Sequence, residues 1–229
     1  MTRWAILLVS MVMLGCSDIT EGAGGVVELE ITAPANTTLE TGETLQLSAR
    51  ALDKNGDPVS VPISWRAADA TLTADETTGI VTGVSPGTGR VQAVAGTLSS
   101  LFVTFNIIAR ADTLILVGDS VVIVGPGVVS STPLVTQLQS FSPASTLPQR
   151  PVVYQVTSPP DVGPHSVELP GGVLIDTLQT GADGTVQTAI LSRVTGVTSP
   201  DSAIVEVRAY RTRGTLVPAS GQRFIVRFQ

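Results

Sequence analysis

The chain has one cysteine, one histidine and one lysine in 229 residues, and only 4% of it is aromatic. A single thiol excludes an internal disulfide framework. One His and one Cys exclude a zinc or copper cluster built from imidazoles and thiolates. Charge is sparse too. Only 14% of residues are charged, and 13 basic against 19 acidic residues give a formal net charge of −6. A nucleic-acid binder needs a basic surplus to neutralise phosphates, so that class is disfavoured. With 43% hydrophobic residues the chain has enough apolar side chain to bury a core, which argues against disorder. After residue 25 no apolar pattern keeps helical spacing for more than two turns. No hydrophobic run reaches the roughly 20 residues a spanning helix needs.

The longest apolar run follows Arg3, from Trp4 to Gly15, broken only by Ser10. A positive start and a short apolar stretch form the pattern of a secretory signal. The run ends Met13-Leu14-Gly15-Cys16. These residues resemble the lipobox of bacterial lipoproteins, in which a small residue precedes an obligatory Cys; Met13 stands where that motif usually has Leu. The resemblance implies removal of residues 1–15 and acylation of Cys16, the only thiol. It implies an exported protein, anchored to the bacterial cell envelope on the periplasmic face, at the outer membrane or at the cell surface. Ser17 after the Cys points to outer-membrane sorting in that family, with Asp18 one place later. An ordinary secretory signal with an incidental Cys, or an uncleaved anchor, is the plain alternative. Each buried methylene contributes about 0.8 kcal/mol, and two or more chains make such anchoring stable. Residues 17–25, rich in Gly and small polar side chains, read as a tether. It reaches at most about 30 Å when extended and roughly 17 Å as a coil.

Beyond the tether the pattern is two-residue alternation with turn residues between the runs. Val27–Ile31 and Leu45–Ala51 alternate, and Asn55-Gly56 follows as a tight-turn signal. Ile63–Arg66 and Arg90–Ala95 alternate as well. Leu101 to Ile108 is expected as a closing strand with Leu101, Val103, Phe105 and Ile107 on one face. Short strands and turns at this density indicate an antiparallel sandwich. Three segments carry a more specific likeness: Thr41–Leu47, Pro62–Trp65 and Gly79–Thr88, the last reading G-x-V-x-G-x-x-P-G-T. Through them residues 26–110 resemble a group 2 bacterial immunoglobulin-like (BIG2) domain. The resemblance implies Trp65 as the plug between two sheets. Gly83 is read as a bend and Pro86-Gly87 as the start of a hairpin.

Residues 111–229 are expected to form a second immunoglobulin-like sandwich. Candidate strands are Thr113–Val117, Ser120–Val124, Pro151–Thr157, Val173–Thr177, Thr185–Leu191, Ala203–Tyr210 and Arg223–Phe228. The run Thr180-Gly181-Ala182-Asp183-Gly184-Thr185 resembles the T-x-x-D-G turn of invasin-type modules. Residues 125–151, rich in Pro, Ser, Thr and Gln, read as a long loop. The fold class is therefore all-β, with two tandem sandwiches behind a cleaved leader.

Gly118-Asp119-Ser120 after an apolar strand resembles the nucleophile block of GDS-type (SGNH) hydrolases. Such an enzyme needs Asp-x-x-His near its C-terminus. The single His165 lies in Asp161-Val162-Gly163-Pro164-His165, one residue too long and in the wrong place. A plain turn at Gly118-Asp119 is the simpler reading. Asp53, Asn55 and Asp57, with Asp75 or Glu76, could offer oxygens to calcium, but an Asn-Gly turn accounts for the first three. The expectation is no enzyme, no cofactor, no resident metal and no small-molecule substrate.

Charge is unevenly placed. Cys16 to Arg110 holds five basic and eleven acidic residues, and Ala111 to Gln229 seven and eight. No acid follows Glu206, yet Arg208, Arg211, Arg213, Arg223 and Arg227 do. If the last two strands pair, these guanidiniums are expected to cluster beside Tyr210. Arg and Tyr anchor many interfaces, and edge strands use charge against aggregation. The sequence thus points to a membrane-anchored module that binds a protein partner or adheres to a surface. The alternative is a membrane-extrinsic subunit bracing a larger integral complex.

Overall fold

The computed structural model describes residues 25–160, 164–198 and 200–229. The expected signal peptide, Cys16 and residues 17–24 of the tether lie outside the described residues. Every helix or strand among the described residues is a strand. The first module contains β1 (Glu28–Thr32), β2 (Thr38–Glu40), β3 (Thr44–Gln46), β4 (Ser48–Leu52), β5 (Pro58–Val59), β6 (Ser64–Ala67), β7 (Leu72–Ala74), β8 (Ile80–Gly83), β9 (Gly87–Ala95), β10 (Leu98–Ser99) and β11 (Val103–Ile108). The second contains β12 (Thr113–Leu116), β13 (Val121–Val124), β14 (Thr136–Phe141), β15 (Ala144–Thr146), β16 (Pro151–Ser158), β17 (Val167–Glu168), β18 (Ile175–Gln179), β19 (Thr185–Val186), β20 (Ser192–Arg193), β21 (Ser202–Ala209) and β22 (Gln222–Phe228).

The two modules share a topological device. In the first, β1 pairs antiparallel with β4, and the chain then crosses so that β2 lies parallel to β11. Pro34 sits between them, and a residue without an N–H cannot extend a ladder. In the second, β12 pairs antiparallel with β14, and β13 runs parallel to β22. There Gly118, at φ +87°, makes the crossing. Each opening strand is thus divided between two facing sheets, and each module is an immunoglobulin-like sandwich.

In the first module β3 and β4 are one run interrupted at Leu47, which is buried and donates its N–H to the Gly79 carbonyl (3.0 Å). β3 joins β8 and β7, and β4 joins β1 and β5. The facing sheet runs β10-β9-β11-β2, with β6 on β9. Trp65, Phe105, Leu39, Leu72, Val81 and Val91 meet between them. Gly79 is required twice over. Its φ is +73°, and a Cβ there would lie 2.5 Å from the Trp65 indole nitrogen. Gly83 acts by close approach rather than as a bend, since a Cβ would lie 2.9 Å from the Glu40 carbonyl oxygen. Pro86-Gly87 does not start a hairpin. β8 and β9 belong to different sheets, so this turn carries the chain across the core. Leu101 also departs from expectation. It precedes β11 and is 90% exposed.

In the second module β13-β22-β21-β16-β18 form one sheet. The other contains β12, β14, β15 and β19, and β17 pairs with β20. Segment 125–151 is not a long loop: it holds β14, β15 and the first residue of β16. Thr136, Leu138 and Ser140 of β14 point inward, and Gln137 and Gln139 are only half-buried. The Thr136 hydroxyl meets the buried Tyr154 hydroxyl at 2.5 Å, and Tyr154 also donates to the Leu134 carbonyl at 3.1 Å. Polar groups face the core here because they satisfy one another. Thr185–Leu191 contracts to the two residues of β19, and Val173–Thr177 shifts to β18.

Candidate functional site at the module junction and the arginine face

Glu40 ends β2 and is 1% exposed although it carries a carboxylate. Its partners come from the other module. Arg150, one residue before β16, donates from Nη1 to Glu40 Oε1 at 3.0 Å and from Nη2 to the Ala109 carbonyl at 2.5 Å. Arg211 Nε lies 3.7 Å from Glu40 Oε2 and donates to the Ala111 carbonyl at 3.1 Å. The Ala111 N–H points at the same Oε2, 3.4 Å away. Burial raises the Glu40 pKa, and the charge of Arg150 only partly opposes this. A carboxylate out of water requires this many donors, because an unpaired one would take up a proton instead.

The rest of the junction is tied the same way. Glu43 accepts the Glu40 N–H at 2.8 Å and the Thr212 hydroxyl at 2.6 Å on one oxygen, Oε2. Arg213 reaches the Asn36 carbonyl at 3.4 Å. Arg110 donates to Asp112 Oδ1 at 2.6 Å, and Asp112 Oδ2 accepts the Phe141 N–H at 2.7 Å. Residues 109–112 are thus bonded to both modules and are not a free linker. Beside them lies a polar cleft of about 330 Å³, with Thr44, Arg110, Arg213 and Thr215 on its walls. None of Glu40, Glu43, Asp112 or Arg150 was singled out by sequence reasoning. Their partners are up to 171 residues away in the chain, and no local pattern marks them.

The expected arginine cluster divides. β21 and β22 do pair, but Ser202 faces Arg227 and Glu206 faces Arg223, so Arg227 lies at the far end from Tyr210. Arg208 and Arg223 both bond Glu206, the latter at 3.1 Å. Burial pushes the Glu206 pKa up, but hydrogen bonds from Arg223 and Arg208 outweigh it and hold the carboxyl below the usual range. Tyr210 is 41% exposed and bridges to Leu216. Arg211 and Arg213 lie past β21, in the turn that meets the first module. The outer face of the β13-β22-β21-β16-β18 sheet therefore carries Arg208, Arg223 and Arg227, with Ile123 and Ile175 exposed on the same sheet.

The remaining candidates are local turns. Asp53 Oδ1 accepts the N–H groups of Asn55 and Asp57 at 2.8 and 2.9 Å, so the Asn-Gly turn uses its carboxylate internally. Those backbone hydrogen bonds hold the Asp53 pKa low. Asp75 serves Thr77 and Thr78 in the same manner. Among the described residues no three His, Cys, Asp or Glu side chains converge as metal ligands. Gly118-Asp119-Ser120 joins strands of different sheets, and the Ser120 carbonyl accepts the Ile225 N–H.

No protein-family model matches the chain. No curated protein matches it in sequence. Among solved structures it is similar to the Yersinia pseudotuberculosis adhesin InvE, at 16% identity and a TM-score of 0.43 over 91% of this chain. The chain spans 61% of that protein's chain. It is also similar to the fibronectin(III)-like modules of Clostridium thermocellum CbhA, at 16% identity and a TM-score of 0.39, covering 87% of this chain and 92% of that one. A third is the D0-D1 domain of intimin, at 16% identity and a TM-score of 0.29, covering 87% and 98%. The immunoglobulin-like assignment rests on the strand pairing described above.

Proposed function

We propose that the chain is an exported cell-envelope lipoprotein, acylated at Cys16, whose two immunoglobulin-like modules act as a non-catalytic binding or adhesion unit. The observation that carries this reading is the Glu40–Arg150–Arg211 contact, which fixes the second module on the first. A fixed junction turns two sandwiches into one support. The arginine-bearing outer sheet is then held at a set orientation to the first module. The partner is a protein, met by Arg208, Arg223 and Arg227, with the exposed Ile123 and Ile175 on the two edge strands of the same sheet. Arg and apolar side chains together are the usual anchors of such contacts. Arg211 and Arg213 act at the junction and its cleft, and Tyr210 bridges to Leu216 in the intervening turn. The lipobox residues and the likeness to the group 2 immunoglobulin-like family support an envelope location. Crosslinking in intact envelopes tests the partner. A defined adduct that disappears in an Arg208→Ser/Arg223→Ser/Arg227→Ser chain supports binding through this face, and an adduct unchanged in that variant contradicts it.

The second reading, a membrane-extrinsic subunit bracing an integral complex, is favoured by the short reach of the tether, about 30 Å at most. Gentle detergent extraction separates the two. A brace leaves the membrane with stoichiometric integral partners, and an adhesin leaves it alone.

A further inference from the structure

We propose that the free edge of β13 is a strand-acceptor site, at which an extended segment of a partner protein, apolar with acidic side chains, adds one more strand to the β13-β22-β21-β16-β18 sheet. This rests on the reading of that sheet as the partner-binding face and adds the way the partner attaches. β13 pairs in parallel with β22, so that Val121 faces Ile225 and Ile123 faces Arg227. The Ser120 carbonyl accepts the Ile225 N–H at 2.8 Å, and the Val124 carbonyl accepts the Gln229 N–H at 2.9 Å. In a parallel ladder alternate residues bond to the same neighbour, so the main-chain groups of Val121 and Ile123 point the other way. They meet no partner strand there among the described residues.

Charge or cover guards the other edge strands of comparable length. β1 carries Glu28 and Glu30, β6 carries Arg66 and β18 carries Asp176. β12 is covered, because Leu114 donates its N–H to the Pro218 carbonyl and accepts Gln222 Nε2 on its own carbonyl. β13 has neither guard. It reads Val-Val-Ile-Val, with Val121 39% and Ile123 60% exposed. An exposed apolar edge of this kind is a template for another chain. The flank beside it is open as well. Residues 131–134 bond to the facing layer, Ser131 N–H to the Leu191 carbonyl at 2.8 Å and Leu134 N–H to the Ala189 carbonyl at 2.7 Å. Pro133 between them has no N–H to offer. A hollow of about 290 Å³ is left, with Val122, Phe224, Thr132 and Pro133 on its walls.

The exposed groups name the occupant. Main-chain donors and acceptors at alternate residues are matched by another extended main chain. Neither a lipid nor a nucleic acid presents them at that spacing. The side chains of the added strand alternate between two surroundings. Those turned inward meet the hollow and are apolar. Those turned outward lie beside Ile123 and, one strand further, Arg227. Arg208 and Arg223 are already held by Glu206. Arg227 faces Ser202 on its other side and forms no ion pair among the described residues. Its backbone lies about 10 Å from that of the added strand, a gap that Arg and Glu side chains together span. A carboxylate on the outward face of the added strand therefore answers Arg227.

The test titrates the full chain in detergent micelles with a short fluorescent peptide of alternating valine and glutamate. A second peptide of the same charge is methylated on its backbone nitrogens and cannot pair as a strand. Expected are saturable binding of the first peptide and slowed amide exchange at Val121 and Ile123. Affinity should be about tenfold weaker for the methylated peptide and for Ile123→Pro, and about threefold weaker for Arg227→Ser. If I123P does not fold, the methylated peptide decides alone. No saturation, equal affinity for both peptides, or binding that leaves the Val121 and Ile123 amides unprotected overturns the inference. Unchanged affinity in R227S overturns the acidic occupant. Amides already protected in a free chain that sediments as a dimer give the edge to a second copy, which overturns it too. The crosslinked adduct in envelopes is read separately. An adduct kept in I123P but lost in the triple arginine variant removes the added strand and leaves the sheet-face reading standing. An adduct kept in the triple arginine variant removes the face reading, and the peptide titration still decides the edge.

Discussion

Replacing Glu40 by Ala tests whether the junction couples the modules. The substitution leaves the Arg150 and Arg211 guanidiniums and the Ala111 N–H facing a small void. Removing one member of a buried ion pair costs about 3–5 kcal/mol. The Arg150 and Arg211 side chains keep 13% and 24% of their exposure, so water recovers part of the loss. The lower end, about 3 kcal/mol, is expected. At about 4 °C per kcal/mol for modules of this size, that is roughly 12 °C of melting temperature. Scanning calorimetry and urea unfolding read it. The wild type should unfold in a single coupled transition, and E40A should separate into two. A double-mutant cycle with Arg150→Ala should give coupling above about 1 kcal/mol. A loss within about 0.5 kcal/mol, the range of ordinary surface changes, would refute the reasoning. So would strict additivity with R150A.

Gly79→Ala should destabilise the first module by about 3 kcal/mol, because a Cβ at φ +73° meets the Trp65 indole; the Trp65 emission should redden as its packing opens. Tyr154→Phe should cost about 1–3 kcal/mol in the second module, since the Thr136 hydroxyl loses its buried partner, and chemical denaturation measures this. Acid should destabilise the protein. Hydrogen bonds from Asp57 and Asn55 hold Asp53 low, as Arg90 does for Asp69, Thr78 for Asp75 and Thr185 for Asp183. A lowered carboxyl stabilises the fold above its unfolded pKa and loses that contribution as pH falls through the folded value, so stability should drop below about pH 4. Glu40 has the opposite sign. Its raised pKa favours the fold most at low pH, and that contribution is lost as pH rises through the raised value. E40Q should therefore show a steeper acid loss than the wild type in urea midpoints taken across this range.

Much of the fold could be read from residues. Alternation located both closing strands, and Asn55-Gly56 marked a true hairpin because its turn chemistry is local. Trp65 was legible as the plug between the sheets, and Gly79 lies against its indole. What could not be read is what depends on distant partners. β14 was hidden because Thr136 and Ser140 face the core as polar groups, which erases the hydrophobic alternation. The Pro86-Gly87 and Gly118-Asp119 turns were legible as turns, but not as crossings between sheets. The arginines after Glu206 read as one group in sequence. Antiparallel pairing sends Arg227 to the far end, and the turn after Ala209 gives Arg211 and Arg213 to the junction. Glu40 shows the same limit most sharply, since its charge is buried by a module that begins some 70 residues later.

The central claim is that lipid at Cys16 holds a fixed pair of sandwiches at a membrane. Mass spectrometry of the N-terminal peptide from envelope-extracted protein tests it most directly. The account predicts a chain that begins at Cys16 and carries acyl groups on it. A chain that begins at Met1, or is cleaved elsewhere with an unmodified thiol, would contradict it.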